Sequence, residues 1–307
     1  MRLAILGRTG WLLAAARRLQ AAGHEIAFVA TAEAPPEYTA APTDFRELAK
    51  SVDAPFITDP DINAPQTLAV LREARADIAV SVNWPRLIRA EACAAFPRGI
   101  LNAHAGDLPR YRGNACPNWS IINNEDNVGL CVHAMDPNAV DAGPIYARDR
   151  FALSDQTYIG DVYAWLDEAV PALFVTAVER AVDPDFIPED QALSPLRPLR
   201  AHPRRPEDGL IDWSASAEAI CRLVRASSRP FAGAFSHLEG SRRVTIWRAR
   251  IARLEYDLAA VPGQIMGRGP DGGVLVACGT GALELEDAQM DDGSALPAAN
   301  RYRLTRP

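Results

Sequence analysis

Apolar and polar positions alternate along the first third of the chain in a pattern typical of an α/β protein. Short apolar runs of strand length are separated by segments whose apolar residues recur at helical spacing. The predicted strands are RLAILG, HEIAFVAT, PFIT, DIAVSV and GILNAH. The predicted helices are WLLAAARRLQAAG, TDFRELAKSVD and PQTLAVLREAR. This alternation predicts a mainly parallel sheet with helices on its faces.

The next part of the chain keeps the same kind of pattern. Two extended segments, NVGLCVHAMD and GPIYARDRFAL, are joined by the loop PNAVDA. Residues 154–182 then repeat apolar positions at helical spacing, which predicts a long amphipathic helix with a bend or break at Pro171.

The chain changes character after residue 182, and this change predicts two domains. Six prolines lie between Asp183 and Gly209, too many for regular helix or sheet. One helical segment and several short strand-like runs with glycine-rich turns follow, which predicts a small OB-like β-barrel. We therefore expect a first domain at 1–182, a linker at 183–208 and a second domain at 209–307.

Composition narrows the class of protein. The longest apolar runs fall well short of the roughly 20 residues that a membrane-spanning helix needs, so we expect no membrane span. The amino terminus shows no secretory pattern, which favours a cytoplasmic protein. The five cysteines form no CxxC pair, so neither a disulfide framework nor a structural zinc site is predicted. The net charge of −7 argues against a nucleic-acid partner.

The first strand-to-helix turn carries Gly7 and Gly10 in the sequence GRTG. This is not the GxGxxG fingerprint, and no isolated acidic residue ends the second predicted strand. The sequence therefore disfavours a dinucleotide-dependent dehydrogenase, and we interpret the two glycines as turn residues.

The stretch GILNAHAGDLPRYRG places two polar side chains at the end of a buried strand. Asn102 and His104 are two residues apart, so they project from the same face at the carboxyl end of the strand, where open parallel sheets bind ligands. An asparagine can donate to a developing oxyanion and a histidine can move a proton. Asp141, in the loop after the next strand, could reach the same edge.

Spacing alone leaves other interpretations open. A structural Asn-x-His pair is the simpler alternative to catalysis. A metal site of His104, His133 and Asp141 lacks any short-range ligand spacing, so no metal is predicted. We interpret His133 as an ordinary strand residue.

A resemblance to a known family adds to these observations. The segments LNAHAGDLPRYRG and NWSIINNEDNVGLCVHAMDPNAVDAGPIYA resemble the signature region of the 10-formyltetrahydrofolate-dependent formyltransferases. The family pattern is Asn-x-His at a strand end, a Leu-Pro-x-x-x-Gly loop and a later Asp-x-Gly. Segments from DGLIDW to LEDAQ resemble the carboxyl-terminal domain of the methionyl-tRNA and some nucleotide-sugar enzymes. The resemblance covers most of the chain and implies a Rossmann-like catalytic domain.

The resemblance also implies a reaction and a set of roles. A primary amine attacks the formyl group of 10-formyltetrahydrofolate, and no metal takes part. Asn102 would donate to the oxyanion, His104 would take the amine proton or stabilise charge, and Asp141 would orient His104 or relay protons. The pterin pocket would be built from two loops, with residues Arg86, Leu87, Ile88, Ala139 and Val140. Trp84 is a further candidate for a wall of that pocket.

Three positions depart from the family pattern. Where the family commonly has serine and leucine in the signature loop, this chain has Gly106 and Asp107. Any role of that serine is therefore not carried over. Pro117 also stands one place later than usual, which predicts a different loop shape near the acceptor.

The acceptor is predicted from charge. The segment after the second strand, where the tRNA enzymes carry a basic insertion, is short and has Glu33, Glu37, Asp44 and Glu47 against Arg46. Such a segment repels phosphate, which disfavours tRNA. A nucleotide-linked amino sugar is favoured, since a few arginines suffice for a diphosphate, and Arg112 is the candidate contact.

Three alternatives stay open: formylation of methionyl-tRNA, formylation of a hydroxyornithine-type amine, and a non-catalytic folate- or sugar-binding module. Glycinamide ribonucleotide is disfavoured, because the enzymes that formylate it usually lack the second domain. A homodimer is one option for the oligomeric state.

Overall fold

The computed structural model describes residues 1–36, 38–59 and 61–307, and these residues cluster into two compact units. The first unit comprises 1–116, 128–152 and 163–202. The second comprises 117–127, 153–162 and 203–307. Glu37, part of the acidic segment discussed above, lies outside the described residues.

A seven-stranded sheet forms the centre of the first unit, in the order β3-β2-β1-β4-β5-β7-β8. The pairs β2/β3, β1/β2, β1/β4 and β4/β5 are parallel, and β7 pairs antiparallel to β5. The strands of this unit are β1 Arg2–Gly7, β2 Glu25–Ala30, β3 Phe56–Ile57, β4 Ile78–Val82, β5 Ile100–His104, β6 Arg112–Gly113, β7 Asn127–Ala134, β8 Ile145–Ala152 and β9 Arg200–Ala201. The order 3-2-1-4-5 is that of doubly wound folds, so the prediction of a mainly parallel α/β sheet is confirmed.

Four helices connect the parallel strands and bury their apolar faces: α1 Gly10–Ala21, α2 Pro42–Ser51, α3 Pro65–Ala74 and α4 Ala90–Cys93. Helix α5 Cys116–Ile122 precedes β7, and α6 Ile159–Val182 follows β8. Thr9 caps α1 by accepting from the Leu12 N–H, a common way to satisfy the open donors of a first turn. Helix α6 begins at Ile159 and runs through Pro171 to Val182.

One apolar cluster covers the face of the sheet from which the side chains of Asn102 and His104 project. It includes Leu6, Phe28, Ile88, Phe96 and Ile100, and Trp84 and Met135 pack against it. Since the inner strands are covered by such clusters, their sequences are almost continuously apolar, and polar residues within them stand out.

The second unit is built on a six-stranded sheet in the order β12-β13-β14-β11-β10-β15. Its elements are α7 Ala217–Ser227, β10 Ala234–Leu238, β11 Arg242–Ile251, β12 Ile265–Arg268, β13 Val274–Ala277, β14 Ala282–Met290 and β15 Leu304–Thr305. Neighbouring strands pair antiparallel. The predicted helix followed by short strands is therefore confirmed as a helix and an antiparallel sheet.

The proline-rich stretch between the two predicted domains contains short regular elements. Residues 183–202 group with the first unit and residues from 203 onward with the second. 3-10 helices form at Gln191–Leu193 and Pro206–Gly209, and β9 pairs in parallel with β6. The domain bounds 1–182, 183–208 and 209–307 stay a prediction.

Among the described residues, none of the helices combines the length and apolar character that crossing a bilayer requires.

Candidate active site

Strand β5 places Asn102 and His104 on one face at the carboxyl end of the parallel sheet. Both side chains are buried, with 9% and 8% of their surface exposed. The neighbouring strand carries Ser81 in register with Asn102, and its buried hydroxyl has no hydrogen-bond partner. Native proteins seldom leave a buried hydroxyl unpaired, so the Ser81 hydroxyl is an unused hydrogen-bonding group at this edge of the sheet.

His104 is held on both sides of its ring. Its Nε2 lies 2.6 Å from the carbonyl oxygen of Tyr111, and since a carbonyl only accepts, Nε2 carries a proton. Its Nδ1 lies 3.6 Å from Oδ2 of Asp141. The Cys116 thiol donates to the same Tyr111 carbonyl at 3.0 Å, with its Sγ 3.7 Å from Nε2. The ring is thus surrounded by groups that favour its charged form.

Asp141 occupies the loop between β7 and β8 with a left-handed backbone, at φ 54°. This conformation is uncommon outside glycine, asparagine and aspartate, and it occurs at functional sites. Oδ2 of Asp141 accepts from the backbone N–H of Gly113 at 2.9 Å. The loop therefore returns the carboxylate to the edge where β5 ends, as the sequence predicted.

His133 contacts both Asn102 and Asp141 in this cluster. The antiparallel register of β5 and β7 pairs it with Asn102. Its Nε2 lies 3.3 Å from Nδ2 of Asn102 and 3.5 Å from Oδ1 of Asp141. The Nδ1 of His133 donates to the carbonyl of Ala134 at 2.8 Å. His133 lies in strand β7, as expected, and its side chain also contacts Asn102 and Asp141. The signal for these contacts in the sequence is a polar residue inside an otherwise apolar strand.

The electrostatics of the pair follow from these contacts. Burial lowers the pKa of His104, but the Asp141 carboxylate, Cys116 and the Tyr111 carbonyl outweigh it and raise that pKa to about 9. Burial raises the pKa of Asp141, but His104, His133 and the Gly113 N–H outweigh it and hold that pKa well below its usual range. At neutral pH the site therefore contains an imidazolium facing a carboxylate.

Gly106 is required by the position of His104. A Cβ at this residue would lie 2.5 Å from Nε2 of His104 and 2.4 Å from the carbonyl oxygen of Tyr111. Carbon atoms do not approach other atoms so closely, so a serine is incompatible with the bond between His104 and Tyr111. This departure in the signature loop follows from the orientation of the histidine.

Asp107 has a structural partner on strand β8. It forms an ion pair with Arg148, which also donates to the carbonyl of Leu108 at 2.8 Å and to Glu189 at 2.8 Å. Arg150 reaches its other oxygen at 3.2 Å. The aspartate therefore fastens the signature loop to β8.

The residues proposed for a pterin pocket lie on two loops of the first unit. Leu87 is 70% exposed and Val140 38%, so both present apolar side chains at the surface. Ile88 is buried in the core, Ala139 is exposed, and Arg86 pairs with Asp61 at 4.0 Å. The indole Nε1 of Trp84 is buried without a hydrogen-bond partner.

Arg112, the predicted substrate contact, donates from Nε and Nη2 to Oε1 of Gln191, at 3.1 and 2.7 Å.

Within residues 1–36, 38–59 and 61–307, no group of three or more histidine, cysteine, aspartate or glutamate side chains is arranged to hold a metal ion.

Comparisons with known proteins identify the family of this chain. The sequence matches the model of the formyl transferase family over residues 1–178 and that of the formyl transferase carboxyl-terminal domain over residues 204–304. These matches span more than half of the chain, and the protein belongs to the formyl transferase family.

Solved structures of similar fold include two sugar enzymes. One is WlaRD, a sugar 3N-formyl transferase crystallised with dTDP and 5-N-formyl-THF, with a TM-score of 0.65 and 15% identity over 95% of this chain and 98% of that one. Another is an N-formyltransferase from Helicobacter canadensis in complex with folinic acid and dTDP-3-aminofucose, with a TM-score of 0.64 and 15% identity over 92% and 98%. At this identity the likeness concerns the fold.

HypX from Aquifex aeolicus, solved with tetrahydrofolic acid, is also similar. Its TM-score is 0.59, with 20% identity over 94% of this chain and 44% of HypX. This chain therefore spans less than half the length of HypX.

Proposed function

We propose that this protein transfers a formyl group from 10-formyltetrahydrofolate to a primary amine, and that the amine belongs to a nucleotide-linked amino sugar. The observation that carries the proposal is the convergence of Asn102, His104 and Asp141 at the carboxyl end of β5. An amide donor, an imidazolium and its carboxylate counter-ion together suit a reaction in which negative charge develops on a carbonyl oxygen.

The described residues fit a folate. A flat, largely apolar ring system with polar edges needs apolar walls and a few donors. Leu87 and Val140 present exposed apolar side chains, and the buried Nε1 of Trp84 is a donor without an acceptor. The residues proposed to hold the group are Arg86, Leu87, Ile88, Ala139 and Val140. When bound, the folate supplies an activated formyl carbonyl.

Three side chains would act on the reacting groups. Asn102 donates a hydrogen bond from its amide to the carbonyl oxygen as charge develops. His104 holds a proton at Nε2 and places positive charge beside that oxygen. Asp141 orients the imidazole and balances its charge, because its carboxyl stays ionised at neutral pH. In this assignment the histidine acts as a cation, because its Nε2 proton is bonded to the Tyr111 carbonyl. The proton that the attacking amine loses is relayed through the ionised Asp141 carboxylate to N10 of the departing tetrahydrofolate, so the products are a formamide and tetrahydrofolate.

Two observations support a nucleotide-linked amino sugar as the acceptor: the ligands of the similar structures and the charge of one segment of this chain. Two enzymes of the same fold were solved with dTDP or a dTDP-amino sugar. The segment after β2 lacks the basic residues that would neutralise the phosphates of a tRNA. Arg112 is proposed as a contact to the diphosphate, and the sheet of the second unit is proposed as part of an OB-like barrel.

The test is a panel assay with purified protein and 10-formyltetrahydrofolate. Release of tetrahydrofolate would be followed by absorbance with UDP-, dTDP- and GDP-amino sugars, hydroxyornithine and charged initiator tRNA as acceptors. We expect turnover with at least one nucleotide-linked amino sugar. Turnover with the tRNA alone, or with hydroxyornithine alone, would overturn the acceptor assignment. Binding of folate without turnover of any acceptor would favour the non-catalytic module.

A further inference from the structure

The segment that follows helix α6 returns to the edge of the sheet where the site lies. We refer to residues 183–202 as the strap. Ile145 and Glu189 form an antiparallel bridge, and β9 pairs in parallel with β6 through Arg112/Arg200 and Gly113/Ala201. Between these two attachments the 3-10 helix Gln191–Leu193 lies beside the loop that carries Asp141.

Gln191 uses the whole hydrogen-bonding capacity of its side chain in this position. It is buried, with 4% of its surface exposed. Its Nε2 donates to the carbonyl oxygens of Asp141 at 2.9 Å and Gly143 at 2.7 Å. Its Oε1 accepts twice from Arg112. A primary amide offers two N–H groups and two lone pairs, and all four are engaged here.

These bonds connect the two loops that place the charged pair. On one side Gln191 holds the backbone of Asp141 itself. On the other it holds Arg112, and the next residue, Gly113, donates its N–H to the Asp141 carboxylate. Gly113 has φ 105° and a Cβ there would lie 2.2 Å from the carbonyl oxygen of Ala201, so the strap packs directly on this backbone.

We infer that Gln191 is a positioning residue of the active site, which sets the place of the Asp141 carboxylate beside His104 through the Asp141 backbone and Arg112. The inference rests on the proposed function only for its activity measurement. A purely structural alternative is that Gln191 anchors the strap and has no effect on the charged pair. The two alternatives differ in whether the pKa of His104 changes when Gln191 is replaced.

The first experiment measures His104 directly and needs no substrate. Gln191→Met removes all four hydrogen bonds at similar volume, and Leu193→Gln in the same 3-10 turn is the matched control, since Leu193 is 83% exposed. The pKa of His104 would be measured by NMR titration of histidine-labelled protein. We expect it to fall by about one unit or more from about 9 in Gln191→Met, and to stay unchanged in Leu193→Gln.

The second experiment measures turnover in the panel assay. We expect kcat of Gln191→Met to fall about tenfold or more, because a displaced Asp141 carboxylate no longer orients the His104 imidazolium. Arg112→Met should lower kcat similarly, and the kcat of the double variant should be no lower than that of either single variant, since all three remove the same connection. Because Arg112 is also proposed to contact the acceptor diphosphate, Arg112→Met should in addition raise KM for the acceptor, whereas Gln191→Met should leave that KM unchanged.

An unchanged His104 titration in Gln191→Met, or an equal shift in Leu193→Gln, would overturn the inference. Arg112→Met provides the same titration test if Gln191→Met does not fold. A wild-type protein that turns over no amine would refute the proposed function and leave the titration result standing.

Discussion

His133 and Asp141 face each other across the end of the sheet, with Nε2 of the histidine 3.5 Å from Oδ1 of the carboxylate. The same nitrogen lies 3.3 Å from Nδ2 of Asn102. One imidazole therefore contacts both the proposed oxyanion donor and the proposed counter-ion. It links the two halves of the site, since His104 lies beside the other oxygen of Asp141.

Replacing His133 should impair turnover without unfolding the protein. In His133→Gln we expect kcat to fall about tenfold, because both Asn102 and Asp141 lose a neighbour that orients them. Steady-state kinetics in the panel assay would check this, with His24→Gln as the control at a partly exposed histidine distant in sequence. Wild-type kcat in His133→Gln would show that the residue is only a core histidine.

His104→Ala should abolish transfer. The variant loses the positive charge beside the developing oxyanion, so we expect kcat to fall by a factor of about 10³ or more. Circular dichroism and folate binding would confirm that the protein still folds. A variant that turns over amine at the wild-type rate would refute the assignment of His104.

The pKa of His104 predicts how stability depends on pH. The folded-state pKa is raised from 6.5 to about 9, so the pairing with Asp141 stabilises the fold fully below pH 6.5 and is lost as the pH rises through 9. The shift corresponds to on the order of 3 kcal/mol of the free energy of unfolding. Urea unfolding between pH 6 and pH 10 would measure it.

His104→Gln is the reference for that experiment, because it cannot gain or lose a proton in this range. The difference in unfolding free energy between wild type and His104→Gln should shrink as the pH rises through 9. A difference that stays constant across the range would contradict the raised pKa.

Gly106→Ser tests why this chain departs from the family pattern. The added Cβ would approach Nε2 of His104 to 2.5 Å, so the ring has to leave the Tyr111 carbonyl or the loop has to move. We expect kcat/KM to fall about tenfold or more. Gly10→Ser is the matched control, since its Cβ would meet the Thr39 side-chain hydroxyl at 3.3 Å, where a small shift of that side chain suffices, and not a backbone atom. Equal effects of the two substitutions would argue against a specific role for Gly106.

The sequence by itself determined the architecture of the first sheet and one face of the site. Alternating strand and helix patterns fix which segments are buried, and the two-residue period of a strand places Asn102 and His104 side by side. The signature loop and the Asp-x-Gly loop indicated Asp141 as their partner. These are local properties of the chain, so they can be predicted from local patterns.

The tertiary structure decided which distant residues complete the site. The antiparallel register of β5 and β7 brings His133 opposite Asn102, and no periodicity within β7 specifies that register. The ion pair of Asp107 with Arg148 and the bonds of Gln191 to the Asp141 loop likewise join segments about 40 to 50 residues apart. Such contacts depend on how the chain folds back on itself. The sequence therefore predicts that the proline-rich segment is irregular, but it does not predict that Gln191 in this segment bonds to the backbone of Asp141.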